Sequence, residues 1–212
     1  MRFSVIYDAC VLYPAPLRDF LMRLALSGLF AARWSDDIQN EWSRNLLMDR
    51  PELSGQVART IDLMNLAVPD CRVIGYESLI PGLSLPDLDD RHVLAAAILA
   101  GAQLIVTFNL KDFPNDYLAS FGIEAVHPDD FIVQQFDLHE ARVISAAKQH
   151  RASLRSPPKG VEEYLDTLAA QGLVVAVDRL RDYQDFMGIR IIWLVCERER
   201  WPTNSTHNGL AG

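Results

Sequence analysis

Residues 85–113, LPDLDDRHVLAAAILAGAQLIVTFNLKDF, leave a chain little choice of fold. Pro86 breaks whatever precedes it. Asp87, Asp89 and Asp90 follow where a helix N-terminus favours carboxylates, and Val93, Leu94, Ala97, Ile98 and Ala100 recur at helical spacing. Gly101 stops that helix. Leu104, Ile105 and Val106 form a short apolar run between turn residues, the pattern of a strand buried on both faces of a parallel sheet. Thr107, Asn109 and Asp112 come next, at the carboxyl end of the strand, where open α/β sheets bind their ligands. The stretch thus predicts a helix and a strand that bring Asp90 and the 109–112 loop to one rim.

The rest of the chain supports that unit. Residues 3–7 (FSVIY) read as a first strand that delivers Asp8 to its carboxyl end before Pro14 and Pro16 interrupt regular structure. Leu17, Phe20, Leu21, Leu24 and Ala25 predict a helix up to Gly28, and 31–34 a second strand. Ser35 is a plausible N-cap with Asp36 and Asp37 in the first turn, and Ile38, Trp42, Asn45 and Leu46 lie along one side of the helix that follows. Glu41 falls one residue off that stripe, on the border between core and solvent. A helix over 51–67, a strand over 71–74, a short helix over 114–121, a strand at Glu124–Val126 and a helix opening at Pro128 complete an alternation that predicts a parallel sheet with helices on both faces. From residue 137 only helices are predicted, over 138–153, 160–170 and 173–186. The expected organisation is an α/β domain over 1–136, a helical extension over 137–187 and an unassigned tail over 188–212.

Composition narrows the function classes. With half of its 212 residues hydrophobic and 23% charged, the chain has the balance of an ordinary globule. No apolar run reaches the roughly 18 residues of a membrane helix and no signal-peptide core precedes the first strand, so a cytoplasmic protein is expected. Cys10, Cys71 and Cys196 are too few and too scattered for a disulfide framework or a zinc site. A formal charge of -8 argues against a generally basic nucleic-acid binder, so a polyanion would have to meet a local patch. The best patch is 141–160, which holds Arg142, Lys148, Arg151, Arg155 and Lys159 and no acidic residue.

The chemistry rests on carboxylates. Asp8, Glu41, Asp90 and Asp112, the last with Asn109 beside it, lie on separate elements that point to one rim. Carboxylates crowded together raise one another's pKa unless a cation sits between them, and Mg²⁺ or Mn²⁺ prefers such hard oxygen ligands. Such an ion could activate water and steady the leaving oxygen of a phosphodiester. The bland reading is that acidic residues, of which there are 28, solvate the surface or cap helices. That reading is kept for Asp36, Asp37, Asp87 and Asp129. Asp89 and Asp90 differ by about 100° around a helix axis, so either could face the rim. Thr107 either bonds locally or orients a metal-bound water, and His92 reads as a surface helix residue rather than a base.

At these residues the sequence resembles the PIN-domain family of metal-dependent ribonucleases, in the branch of VapC-type toxins from bacterial toxin–antitoxin systems. VIYDACVLYPAPLRDFLMRLA is similar to the family's opening strand and first acid, WSDDIQNEWSRNL to the helix that bears the second, and DLDDRHVLAAAILAGAQLIVTFNLKDF to the third and fourth acidic motifs. The resemblance covers about residues 1–136. It implies a three-layer α/β/α fold, Mg²⁺- or Mn²⁺-dependent endoribonuclease activity and a cognate antitoxin, with a homodimer as a further implication for which the apolar helices of 17–29 could serve. It implies that Asp8, Glu41 and Asp90 are metal ligands and that Thr107, Asn109 and Asp112 form the final motif. Asn109 stands where the family commonly has its fourth acid, so either its amide or Asp112 takes that role. The part from 137 to 187 resembles an extension found in a subset of these proteins, and RNA could lie along Arg142 to Lys159. Two rivals remain at this level. A phosphohydrolase with an aspartyl nucleophile would resemble its kind in having a second Asp two positions after the first, where this chain has Cys10. A non-catalytic module could use the same acids to dock a basic partner.

Overall fold

The protein is described here by a computed structural model covering residues 3–188. The tail assigned to 188–212 therefore lies, apart from Gly188, outside the described residues. Five strands, β1 (Ser4–Tyr7), β2 (Ala31–Ser35), β3 (Arg72–Val73), β4 (Leu104–Val106) and β5 (Glu124–Val126), form one sheet in the order β3-β2-β1-β4-β5. Every pairing is parallel. The chain moves outward from β1 to β2 and β3, then returns to the other side of β1 for β4 and β5. The strand order therefore reverses between β1 and β4, and the crevice at their carboxyl ends is where such a sheet binds its ligand. In the β1–β4 register Tyr7 pairs with Val106, so the next residues, Asp8 and Thr107, leave the sheet side by side at that crevice.

The helices within and after the sheet region are α1 (Ala9–Leu12), α2 (Ala15–Leu26), α3 (Asp36–Asp49), α4 (Ser54–Ala67), α5 (Arg91–Leu99), α6 (Asn115–Leu118), α7 (Pro128–Ser153), α8 (Val161–Ala169), α9 (Val174–Arg181) and α10 (Gln184–Gly188). β1 is buried throughout because both faces are covered. Tyr7 looks toward one layer, where its ring meets Phe30, Trp34 and Phe131 of α7 and its hydroxyl donates to the Leu21 carbonyl of α2. On the other face α5 packs along β1, β2 and β4. The predicted three-layer α/β/α arrangement with a parallel sheet and a helical extension is thus the observed one.

Most predicted elements recur with shifted ends. The 51–67 helix opens with a 3-10 turn at Pro51–Leu53, and 71–74 contributes only Arg72–Val73 to the sheet. α1 was not anticipated, since four residues are too few for a helical period to register. It forms because Asp8, in extended conformation, caps it by accepting from the Ala9 N–H at 2.6 Å. Helices 128 onward and 138–153 are one run, α7, with non-helical torsions at His139, so the expected division at 136/137 falls inside it just before the kink. Leu17, Phe20, Leu21 and Leu24, the face that could have served a dimer, are fully buried in the core, where α2 packs on α7.

A buried histidine ties this layer together. His150 of α7 stacks on Phe20 of α2 and pairs with the Tyr164 hydroxyl of α8 at 3.1 Å. Its Nε2 has no partner among the described residues. Burial, with a contribution from the Arg23 charge, pushes its pKa down to about 4. The unfolded chain takes up this proton near pH 6.5 and the folded protein resists it, so stability is complete above pH 6.5 and lost as the pH falls toward 4. Between pH 7 and 5 the loss should be on the order of 2 kcal/mol. Urea unfolding at both pH values should show it, with a flatter response in His150→Gln. An equal pH response in the variant would mean that another group carries the dependence.

Candidate active site

The site begins where β1 and β4 end. The Asp8 N–H donates to the Val106 carbonyl, which fixes the backbone, and the side chain turns into the crevice at 2% exposure. Both its oxygens are engaged: Oδ1 accepts from the Ala9 N–H, and Oδ2 accepts from the Thr107 hydroxyl at 2.7 Å and the Cys10 thiol at 3.1 Å. Burial raises the Asp8 pKa, and the Thr107 and Cys10 hydrogen bonds oppose the rise. A carboxylate held at both oxygens is a fixed acceptor rather than a mobile nucleophile, and no second Asp stands at Cys10; the aspartyl-nucleophile reading therefore loses its support. Thr107 itself is completely buried and takes the Asn109 N–H on its oxygen at 2.9 Å, so one hydroxyl joins β1, β4 and the loop beyond.

Asp90 enters from the start of α5. It stands at the N-cap, yet its side chain makes no cap hydrogen bond and only its carbonyl engages the helix, accepting from the Val93 and Leu94 N–H groups. The carboxylate is 8% exposed, and its Oδ2 has no hydrogen-bond partner among the described residues. Burial, then the charges of Asp8, Asp87, Glu41 and Asp112, push its pKa up to about 7. Asp89 is exposed and its N–H closes a turn onto Asp87, so of the two neighbours it is Asp90 that faces the crevice.

Glu41 approaches from α3, which Ser35 caps by accepting from the Ile38 N–H. Ile38, Gln39 and Trp42 form the buried stripe of that helix, and Glu41 is half-buried at its edge. Its Oε2 lies 3.2 Å from His92 Nε2. Burial alone would lower the His92 pKa, but the Glu41 hydrogen bond and the surrounding acidic charges outweigh that and raise it. Asn109 precedes the 3-10 turn Leu110–Asp112 and Asp112 ends it, both partly buried. Asp112 bears on Asp90 through its charge, while Asn109 lines a groove of about 440 Å³ beside Cys10, Tyr13, Glu41 and Asn45.

Among the described residues no three His, Cys, Asp or Glu side chains stand close enough together to enclose a metal ion by themselves. Mg²⁺ seldom asks for that, since it keeps several waters and takes one or two carboxylates plus substrate phosphate. A buried carboxylate with an unpartnered oxygen, crowded by further acids, suits such a hydrated hard cation. Asp8, Glu41 and Asp90 are the side chains that could hold it.

A PIN domain family model matches residues 4–111, just over half of the chain, and takes in Asp8, Glu41, Asp90, Thr107 and Asn109. The chain belongs to the PIN domain family. A second model, the VapC50 C-terminal domain, matches residues 128–182 of the same PIN protein, which takes in α7, α8 and α9. Over 97 residues the chain is 41% identical to a Mycobacterium tuberculosis protein named "Putative ribonuclease VapC50", a match covering 46% of this chain and 57% of the relative. The match thus spans little more than half of that relative's length. No solved structure matches.

Two residues differ from their sequence expectation: Cys10, expected only as a scattered thiol, bonds within the crevice, and His92, expected on the helix surface, is only 16% exposed and faces Glu41. Cys10 touches Asp8 and Thr107 and accepts the Phe108 N–H at 3.2 Å, a position created by the unanticipated α1. His92 lies two residues after Asp90, a spacing that puts side chains on different sides of a regular helix; it reaches the site because Asp90 is still outside the helix proper. The basic run of the extension is largely spent internally. Arg151 donates to the Lys159 and Met187 carbonyls, and Lys148 is buried with its ammonium 4.2 Å from the Phe186 ring centroid. Lys159 bonds to Thr167 and pairs with Glu163, so a run free of acids in sequence is not so in space. Arg142 gives one hydrogen bond to the Ser27 carbonyl and stays exposed, as does Arg155.

Proposed function

We propose that this PIN protein is a Mg²⁺- or Mn²⁺-dependent endoribonuclease acting as the toxin of a type II toxin–antitoxin pair. The observation that carries the reading is the Asp90 carboxylate, buried with an unpartnered oxygen among Asp8, Glu41 and Asp112 at the crevice between β1 and β4. The similarity to the VapC50 relative supports RNA as the substrate and a cognate antitoxin as the partner. A divalent ion bound there supplies Lewis acidity toward the scissile phosphate and a water acidic enough to attack it. The protein's own part is placement. Asp8, locked by Ala9, Thr107 and Cys10, and the crowded Asp90 would hold the ion, with Glu41 as the third carboxylate. Asp112 or Asn109 completes the acidic rim, and Thr107 keeps Asp8 in one rotamer.

Of the basic run, Arg142 and Arg155 remain able to meet the RNA backbone, whereas Lys148, Arg151 and Lys159 hold the extension together. No described helix is long and apolar enough to cross a membrane, which agrees with action on cytoplasmic RNA. An antitoxin Arg or Lys placed among the carboxylates would neutralise them in place of metal.

The test is cleavage of a mixed single-stranded RNA by the purified protein with Mn²⁺, Mg²⁺ or EDTA, beside Asp8→Asn prepared identically. Cutting that needs metal and falls at least about 100-fold in Asp8→Asn is the expected result, since both the charge and a ligand are lost. Absence of cutting with either metal, by folded protein free of bound partner, would leave the acids as a docking site for a basic partner.

A further inference from the structure

Glu41 is the least constrained of the three carboxylates. It stands on an exposed edge of α3, its side chain is 31% exposed, and three rotatable bonds separate its carboxylate from the backbone. Asp8 is fixed by three donors and Asp90 by burial. Negative charge on Asp8 and Asp90 drives a loose neighbouring carboxylate outward to solvent, so something must hold Glu41 inward before any cation arrives. His92 Nε2 is the one described hydrogen-bond partner of the Glu41 side chain. The imidazole is 16% exposed, it projects from the first turn of α5 two residues after Asp90, and its other nitrogen is buried with no partner among the described residues. A histidine with one ring nitrogen unused and the other on a carboxylate has Glu41 as its evident polar task.

We propose that His92 is a positioning residue of the metal site, donating from Nε2 to Glu41 Oε2 so that this carboxylate is held at the pocket in one orientation before the cation binds. The inference rests on the metal-dependent reading above. It assigns His92 no proton transfer and no contact with RNA. Its effect belongs to metal affinity: partners of this kind typically contribute roughly 10–100-fold. The neutral imidazole suffices, because the hydrogen bond needs a donor and not a charge.

The experiment reads Mn²⁺ binding directly, from the free Mn²⁺ signal in electron paramagnetic resonance, on the whole protein without RNA. Wild type, His92→Phe, His92→Gln, Glu41→Gln and the His92→Phe/Glu41→Gln double variant are compared, with thermal melts in EDTA as a check on folding. His92→Phe should weaken Mn²⁺ binding roughly 10- to 100-fold. His92→Gln, whose amide can donate from about the same place as Nε2, should recover most of the loss. In the Glu41→Gln background the Phe substitution should change Mn²⁺ binding little, since its partner carboxylate is gone. In RNA cleavage His92→Phe should raise the Mn²⁺ concentration needed for half-maximal rate by the same factor.

Unchanged Mn²⁺ affinity in a folded His92→Phe overturns the proposal while leaving the metal-dependent reading intact, and so does an equal loss with and without the Glu41→Gln substitution. A wild-type protein that binds no Mn²⁺ overturns that reading and this inference with it. If His92→Phe is poorly folded, His92→Ala, which removes the donor without adding bulk, decides: a loss of Mn²⁺ affinity that is absent in the Glu41→Gln background supports the proposal, and wild-type affinity, in a protein melting like wild type, overturns it.

Discussion

Asp90→Asn is expected to abolish RNA cleavage and, in the absence of metal, to make the protein more stable. On the proposed metal-dependent reading Asp90 would be a ligand of the cation, and its loss should lower the rate by about 10²–10³-fold or more. The gain in stability follows from the site's own cost. In the fold the Asp90 pKa rises to about 7, whereas in the unfolded chain it returns to the ordinary range near 4. An acid whose folded pKa is raised binds its proton better when folded, so stability is greatest at low pH, falls as the pH climbs from about 4 to 7, and the full cost is present above 7. Asparagine keeps the shape and removes the charge. At pH 8 in EDTA the variant should be more stable by on the order of 2 kcal/mol, less than the full linkage value because water and relaxation screen part of the crowding. For a chain of this size that is roughly 4–8 °C in Tm. At pH 4 the advantage should vanish. Saturating Mn²⁺ should raise the wild-type Tm and close the gap, since a ligand that binds only the folded state stabilises it by mass action. Calorimetry at both pH values measures all of this. A variant less stable than wild type at pH 8 without metal would mean that the carboxylates are not in conflict, and the argument for a cation would fall with it.

What the sequence could and could not convey follows from how local each signal is. The strand end at Tyr7, the Ser35 cap and the Gly101 stop were legible because each rests on two or three adjacent residues. The convergence of Asp8 and Asp90 was legible at one remove: in a parallel sheet the end of a strand, which places Asp8, and the start of a crossover helix, which places Asp90, share a rim whatever the strand order. The order itself, with β1 central and β4 beside it, is a property of pairings between residues some 100 positions apart and left no local trace. Side-chain partners were least legible. The bond from Thr107 to Asp8 depends on strand register, that from His92 to Glu41 on how α3 and α5 meet, and both lie beyond any period in the chain. The partners of the basic run were equally hidden. Its lack of acids is a fact about sequence neighbours, whereas Arg151 and Lys159 find their partners among carbonyls and on α8.

Asp129→Ala is expected to cost about 3 kcal/mol of folding stability, a large effect for a residue the sequence marks as an ordinary first-turn acid. Asp129 belongs to the first turn of α7, but its carboxylate does not serve α7. It reaches across to α9 and accepts the Val175 and Ala176 N–H groups at 2.9 and 2.8 Å, at 6% exposure. α9 has no cap of its own, since Leu173 precedes it and offers no side-chain acceptor. The carboxylate therefore satisfies two of the N–H groups that every helix start leaves open and sits at the positive end of the helix dipole. Charge-assisted hydrogen bonds contribute about 1.5–3 kcal/mol each, and unpaired buried N–H groups add a desolvation cost, partly offset because water can enter once the side chain is gone. Asp129→Asn keeps one acceptor and should lose about half as much. Urea unfolding followed by circular dichroism measures both, and a loss under about 1 kcal/mol in the alanine variant would mean that α9 is held by its apolar contacts alone. Hydrogen exchange in the same variant reads how the extension is joined to the rest. α7 packs on α2, and its Phe131 ring meets Tyr7 of β1, so destabilisation begun at α9 should reach the amides of β1 and β4 as well. If only α8 and α9 lost protection while the amides around Asp8 and Thr107 kept theirs, the kink at His139 would mark the border of a separately opening unit, and the carboxylate site would stand independent of the helices that follow it.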